Sequence, residues 1–334
     1  MKTVAVIASN SFTGSHFVDA LLENTKAKVI GISRSPEYNS IFLPYAYKKK
    51  KSGRFEFHQL DINKNLREML SLLDREEPEA IINLAAQGEV QHSWDNPADW
   101  FQTNAVGIVN LTNALKDRKY IKHYIHTSTP EVYGSCEGGV KENYNYQPST
   151  PYAASKAAGD IFMYALYKTH NFPLTLTRST NVYGMHQQLY RIIPRTIIYL
   201  KMGKKIQLHG GGIAKKAYIH VRDAADGVMK ILEAKNPSEL YHFSPNNEGY
   251  AIRDIVKMIC EKMDRDFEKC TETVPERKGQ DAKYHIDSTK ARKELGWQPK
   301  IKLEDGIEEM INWVDDCWDE IKKQPHEYIH KPSL

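Results

Sequence analysis

Short runs of apolar and branched residues recur through the first half of the chain, at 3–8, 28–33, 55–59, 80–84, 123–128 and 174–178. They are nearly continuous rather than alternating, the pattern of strands buried on both faces. Between them, 14–24, 66–77, 98–117 and 152–169 carry apolar residues three and four apart, as amphipathic helices do. Strand and helix therefore alternate, which predicts βαβ units feeding a doubly wound, Rossmann-type parallel sheet. After about residue 180 the rhythm loosens, with glycines at 210–212 and a helical stretch at 252–263, and a smaller C-terminal α/β lobe is expected there. The predicted organisation is a dinucleotide-binding domain over 1–180, to which about 215–240 returns. A mainly substrate-binding lobe over 181–324 and a loose tail over 325–334, marked by Pro325 and Pro332, follow.

At 334 residues the chain is longer than one core usually serves, consistent with two lobes. Hydrophobic residues at 41% and charged residues at 26% are ordinary globular values. A formal charge of +4, dispersed along the chain, does not indicate a nucleic-acid partner. The one basic block, Lys48 to Lys51 with Arg54, reads as a solvated loop. Cys136, Cys260, Cys270 and Cys317 are widely spaced with no CxxC pair, so neither zinc nor a disulfide framework is expected. The histidines show no ligand spacing, and no metal is predicted. The apolar run after Met1 is too short for a signal peptide or a membrane span, which makes a cytoplasmic location the expectation and a membrane role not.

The first strand runs into Ala8-Ser9-Asn10-Ser11-Phe12-Thr13-Gly14. Small residues at Ala8, Ser11 and Gly14 let the backbone approach a pyrophosphate, and Phe12 and Thr13 would offer helix N-terminal amides. A Rossmann domain that prefers NAD usually ends its second strand in an acid that accepts from the ribose hydroxyls. Here Ser33, Arg34 and Ser35 stand there instead, offering a cation and hydroxyls to a 2′-phosphate. NADP is the expected cofactor, with NAD the alternative if Arg34 is only a surface arginine. Asp61 and Ile62 after the third strand are placed to meet the adenine ring, and Leu84, Ala85 and Ala86 end the fourth strand with small residues near the cofactor.

Tyr152 and Lys156, in Tyr-Ala-Ala-Ser-Lys, lie one helical turn apart and share a face. An ammonium beside a phenol favours the phenolate, so Tyr152 is a candidate base and Lys156 its tuner. Upstream, at the C-terminal end of a predicted strand, comes Thr127-Ser128-Thr129-Pro130-Glu131-Val132-Tyr133-Gly134. With Arg178-Ser179-Thr180-Asn181-Val182-Tyr183-Gly184, Ile192-Ile193-Pro194, Tyr218-Ile219-His220-Val221-Arg222-Asp223, Glu276-Arg277-Lys278-Gly279-Gln280-Asp281 and Glu294-Leu295-Gly296-Trp297-Gln298-Pro299, the chain resembles the nucleotide-sugar 4,6-dehydratases of the extended short-chain dehydrogenase family over nearly its whole length. That family carries glycines at the positions of Ala8, Ser11 and Gly14, and only Gly14 matches.

The resemblance implies a mechanism. Tyr152 would take the proton of the sugar 4-hydroxyl, with Thr129 bonded to the same oxygen, to give a 4-ketone. The ketone acidifies C5–H, Glu131 would remove that proton, water would leave C6, and the stored hydride would return there. The dTDP-glucose branch has an aspartate where this chain has Pro130, which cannot donate a proton. Either Glu131 also serves the departing hydroxyl, as serine at this place in the GDP-mannose branch suggests, or elimination does not occur. Epimerisation or decarboxylation through the same ketone, and a non-catalytic NADP-binding sensor, are the alternatives. For the nucleotide diphosphate sugar, the resemblance points to Asn181 and Arg277, and to Lys216 where many relatives have arginine. Arg191 and Lys283 are further phosphate candidates, and Gln87, Glu89 and Ser128 candidates for the sugar pocket. Cys136 is given no role. The helices at 98–117 and 152–169 correspond to a pair that forms a four-helix dimer interface in relatives, so a homodimer is expected.

Overall fold

In the computed structural model, which describes residues 1–136, 138–245, 247–276 and 285–333, the chain begins with strand β1 (Thr3–Ile7), helix α1 (Phe12–Asn24), β2 (Lys28–Ser33) and β3 (Phe55–Gln59). Next come α2 (Leu66–Glu76), β4 (Ala80–Asn83), and α3 (Pro97–Phe101) joined to α4 (Ile108–Leu115) by a wider π-helical turn at Gln102–Gly107. β5 (His123–Thr127), α5 (Pro151–His170) and β6 (Leu174–Ser179) complete the first half. Then follow β7 (Asn181–Tyr183), α6 (Ile192–Lys201), β8 (Ile206–His209), β9 (Lys215–Lys216), β10 (Tyr218–His220), α7 (Val221–Glu233) and β11 (Leu240–Phe243). β12 (Tyr250–Ala251), α8 (Ile252–Lys262), α9 (Phe267–Cys270), β13 (Thr271–Val274), α10 (Thr289–Leu295), α11 (Leu303–Asp316) and α12 (Trp318–Ile321) close the order.

Seven strands form one parallel sheet in the order β11-β6-β5-β4-β1-β2-β3. The doubly wound sheet is therefore present, and its order reverses between β1 and β4. In such sheets the crevice beyond the carboxyl ends at the reversal is where ligands bind. Both faces of the sheet are covered, as the apolar runs require. Val4 and Val6 of β1 pack with Phe17, Val18 and Leu21 of α1 and Val228 and Ile231 of α7. Ala5 and Ile7, pointing the other way, pack with Met69 and Leu72 of α2, Leu111 of α4 and Met163 of α5. A third cluster joins Ile193 and Ile197 of α6, Ile255 and Ile259 of α8, and Ile307, Met310 and Trp313 of α11 into a separate core beside the crevice.

The segment after Gln324 departs from the loose tail expected of it. The His330 ring stacks on Trp100 at 5.2 Å, and its Nε2 is 2.6 Å from Asp99 Oδ2. Ser333, 2% exposed, donates its backbone N–H to Asp99 Oδ1 at 3.0 Å and sets its hydroxyl 2.6 Å from that of Thr103. Two prolines stop a helix here, yet they leave the extended chain free to lie in a groove. The four cysteines are free. Among the described residues no helix is long and apolar enough to cross a membrane, and no cluster of three or more histidine, cysteine or acidic side chains is placed to hold a metal.

Candidate active site

Beyond the carboxyl ends of the strands lies one cleft of about 1100 Å³. One drug-sized ligand needs roughly 300–1,000 Å³, so the space is ample for a dinucleotide and part of a second ligand. All the cofactor candidates except Gly14 line it: Ala8, Ser11, Phe12, Thr13, Ser33, Arg34, Ser35, Asp61, Ile62, Leu84, Ala85 and Ala86.

Gly14 shapes the cleft from beneath. A Cβ there would lie 2.2 Å from the carbonyl oxygen of Ala8, so no other residue fits without moving the loop. Ser11 caps α1: its hydroxyl donates to that same carbonyl at 2.7 Å and accepts from the Gly14 N–H at 3.1 Å. Ala8 holds φ at +64°, a left-handed conformation that glycine adopts freely and alanine under strain. The loop thus keeps a glycine-type shape with one glycine, and α1 presents Phe12 and Thr13 at its positive end.

Ser33 is turned inward, where its hydroxyl accepts from the Asn10 N–H at 2.9 Å and fixes the loop. Arg34 stays in the cleft, its guanidinium donating to Gln87 Oε1 at 3.4 Å and to the Lys331 carbonyl at 3.2 Å. The acid that follows in sequence, Glu37, is held by Tyr45 and Lys51. Asp61 is tied locally, its side chain accepting from the Asn63 N–H at 2.7 Å. The residues suit a polar, phosphate-bearing dinucleotide: the carboxamide oxygen of Asn63 and the hydroxyl of Thr127, both buried in the cleft wall, have no hydrogen-bond partner among the described residues.

At the other end of the cleft stand Tyr152 and Lys156, in the first two turns of α5. Thr150 caps that helix, accepting from the Ala153 N–H at 3.1 Å, and Pro151 occupies its first position, where a missing N–H costs nothing. Thr129 caps the short turn Pro130–Tyr133, accepting from the Glu131 N–H at 3.3 Å, and its hydroxyl is near enough to the Tyr152 phenol to lower that group's pKa. Pro130 again starts a helical turn, which gives it a structural use in place of proton donation. Thr129, Glu131, Tyr152 and Lys156 all line the same cleft.

Lys156 is 2% exposed and donates to the Thr127 carbonyl at 2.8 Å, with His126 Nε2 3.0 Å away. Burial lowers its pKa to about 8, against an opposing pull from Asp160. Burial, and after it the Glu131 carboxylate, push the Tyr152 phenol well up, while Thr129 and Arg191 act the other way. The expected tuning of the phenol by Lys156 is thus not what the protein alone provides: the ammonium is engaged with the β5 backbone and His126, and Tyr152 is held as the neutral phenol.

The sugar-side candidates divide. Glu89, at φ +72°, pairs with Arg191 Nη1 at 3.2 Å, and both face the space before Tyr152 and Glu131. Asn181 and Lys216 line the far wall, Asn181 donating to the Ala217 carbonyl at 3.2 Å. Gln87 belongs to the Arg34 end instead, because its carboxamide nitrogen donates to the Lys331 carbonyl at 2.6 Å and the Ser333 hydroxyl at 2.9 Å. Ser128 lines the cleft, with its hydroxyl donating to Asp160. Arg277 and Lys283 lie outside the described residues.

Three features were missed in the sequence. His126, beneath Lys156, could have been found from strand alternation in β5. The fully buried ion pair of Arg178 and Asp160, at 3.0 Å and surrounded by Tyr133 and Tyr146, supports Ser128 from below. The pairing joins β6 to α5 and leaves no local signal. The third feature is the tail, which lines the cleft with Tyr328, Ile329 and Lys331.

A doubly wound parallel sheet, a helix-capped loop at the switch point and a Tyr-x-x-x-Lys lining the same cleft as a strand-end threonine and glutamate define an extended short-chain dehydrogenase, of the nucleotide-sugar 4,6-dehydratase and epimerase type. More narrowly, the chain belongs to the GDP-mannose 4,6-dehydratase family, whose model matches residues 10–310. It is 30% identical to dTDP-glucose 4,6-dehydratase of Escherichia coli over 93% of this chain and 92% of that one. Among solved structures it is similar to dTDP-glucose 4,6-dehydratase of Streptomyces venezuelae with NAD bound, at 28% identity and TM-score 0.85, covering 94% of this chain and 97% of that one. It is also similar to UDP-glucuronic acid 4-epimerase of Bacillus cereus in complex with UDP-glucuronic acid and NAD, at 25% identity and TM-score 0.84, covering 94% and 99%.

Proposed function

We propose that the protein is an NADP-dependent nucleotide-sugar 4,6-dehydratase. The observation that carries this reading is the placement of Glu131 in the same cleft as Tyr152 and Thr129, close enough for its carboxylate to raise the phenol's pKa. A sugar whose 4-hydroxyl meets Tyr152 and Thr129 then offers C5 to Glu131. Tyr152 accepts the 4-hydroxyl proton as the 4-ketone forms, Glu131 removes the acidified C5 proton, and the same carboxyl group returns it to the C6 hydroxyl, which leaves as water. This assignment gives Pro130 no proton to handle. A nicotinamide cofactor held between the Ala8–Gly14 loop and Lys156 would supply reversible hydride transfer, and its cationic ring would favour the phenolate of Tyr152. Lys156 holds the ribose side of the site, and Arg191, Asn181, Lys216 and Arg277 take the phosphates.

NADP is preferred to NAD because β2 ends in Ser33, Arg34 and Ser35 and because the next acid, Glu37, is bound elsewhere. The protein acts in the cytoplasm, and as a homodimer whose interface uses the helical stretch from α3 through the π-helical turn to α4, together with α5; Val106 in that turn and Ile161 of α5 are large apolar side chains left exposed. The domain division is proposed at residue 180, with α7 and β11 belonging to the first domain.

A second reading has one observation behind it: the Arg191 guanidinium beside Glu131 is the charge a uronate carboxylate would seek, as 4-epimerisation or decarboxylation of a nucleotide uronate requires. Incubation with a panel of nucleotide sugars and mass analysis of the products tests both. Dehydration removes one water, decarboxylation removes carbon dioxide, and epimerisation leaves the mass unchanged. A product lighter by one water is expected, and turnover without any loss of mass overturns the dehydratase reading.

A further inference from the structure

The C-terminal segment is pinned on both sides of Lys331. Before it, the Tyr328 ring stacks on His92 at 4.7 Å and His330 stacks on Trp100. After it, Ser333 is held by Asp99, Thr103 and Gln87. The Lys331 carbonyl itself accepts from Gln87 and from Arg34. With its backbone fixed at three residues, Lys331 is not an ordinary surface lysine on a free tail. Its ammonium is directed back across the cleft rim to within 2.9 Å of the Ser35 hydroxyl and 3.5 Å of the Tyr38 hydroxyl. Arg34 and Ser35 are the two groups assigned to the 2′-phosphate. Tyr328, Ile329 and Lys331 line the same cleft as Asp61, Ile62 and Asn63.

We infer that Lys331 is a third ligand of the 2′-phosphate of NADP, and that the C-terminal segment thereby helps select NADP over NAD. The inference rests on the NADP reading above. A phosphate that accepts from Arg34 and Ser35 lies within reach of the Lys331 ammonium, and the nearby acid Glu37 is already paired with Lys51. The cation comes from the far end of the chain, so the pocket is complete only when the segment is docked.

The test is calorimetric titration of the whole protein with adenosine 2′,5′-bisphosphate and with adenosine 5′-monophosphate, comparing the natural protein with Lys331→Gln and Arg34→Gln. Lys331 is exposed, so its replacement leaves the fold intact. The natural protein is expected to prefer the bisphosphate. Lys331→Gln is expected to weaken bisphosphate binding about tenfold, the scale of one charge-assisted hydrogen bond, with the monophosphate changed by less than about twofold. If Lys331→Gln leaves the bisphosphate unaffected while Arg34→Gln weakens it, the tail contact is wrong and the NADP reading stands. An equal loss for both probes also overturns the inference, because Lys331 would then only hold the cleft in shape. If the natural protein binds the two probes alike, the NADP reading fails and the inference falls with it.

Discussion

At the Tyr152 end of the cleft, Lys156 meets its partners His126 and Thr127 at sequence separations of 30 and 29, and every reactive group comes from β5, the turn after it, or the start of α5. At the Arg34 end, Arg34 and Ser35 meet Lys331 at separations of 297 and 296. The first end is rigid from below, braced by the buried Arg178–Asp160 pair. The second is built on a strained alanine and closed by a terminal segment. Chemistry that must be placed to within a fraction of an ångström is carried by regular elements, while recognition of the cofactor's outer half is left to parts that can diverge or move without disturbing it.

The largest effects should fall at the braced end. Tyr152→Phe removes the proton acceptor and should lower kcat by about 10³-fold, within the span seen for general acid–base groups, while substrate binding changes little. Glu131→Gln should be nearly as severe for water loss, again by about 10²- to 10⁴-fold, but should leave hydride transfer from C4 intact. A single-turnover experiment would therefore show the cofactor absorbing near 340 nm, the reduced nicotinamide band, on the order of seconds to minutes without product release. Full-rate elimination by Glu131→Gln would remove the carboxylate from the mechanism and with it the contrast between the two ends.

Bracing is the next point of attack. Asp160→Ala leaves the Arg178 guanidinium buried without its partner and should destabilise the protein by about 3–5 kcal/mol, read from the denaturant midpoint. A loss below about 1 kcal/mol, the worth of an exposed pair, would mean that the region is more hydrated than its burial indicates. A milder effect follows from Lys156, whose pKa burial lowers to about 8. The group is cationic below that value and neutral above it, so its contribution to kcat/KM should be lost as pH rises past about 8, where free-enzyme ionisations are reported. A profile flat to pH 10 would assign the ammonium no part in the reaction.

The same contrast separates what the sequence disclosed from what it hid. The strands β1 to β6 were legible because each is a nearly unbroken apolar run, and the end residues shifted by no more than one or two. Thr129, Glu131, Tyr152 and Lys156 were singled out as candidates because their spacing is local, and all four line the same cleft. β11, reading Leu-Tyr-His-Phe, was missed: four residues with a histidine carry no strand signal, and only pairing with β6 makes them one. Gln87 was placed at the sugar and Ser128 beside it because the chain around them belongs to the cleft, yet their hydroxyl and amide groups answer to partners far away in sequence. Pro325 and Pro332 suggested a free tail, since prolines report the backbone and say nothing of Trp100, Asp99 and Thr103 waiting for it.

The smallest predicted effect bears on the strained end. Ala8 sits at φ +64°, where an L side chain costs about 1–2 kcal/mol. Ala8→Gly removes that cost but frees the unfolded chain by about 0.5–1 kcal/mol, so a net gain of about 0.5–1 kcal/mol in stability is expected. In a chain of this size a gain of 1 kcal/mol moves Tm by roughly 2 °C, within reach of calorimetry. Because Ser11 already holds the Ala8 carbonyl and the Gly14 amide in place, the loop's shape should not change, and cofactor affinity should move by less than about twofold. A fall in Tm would show that Ala8 is relaxed and that the loop has left the glycine-type conformation. A large gain in affinity with Tm unchanged would instead show the alanine methyl crowding the pyrophosphate, and the outer half of the cleft would then be limited by contact rather than by strain.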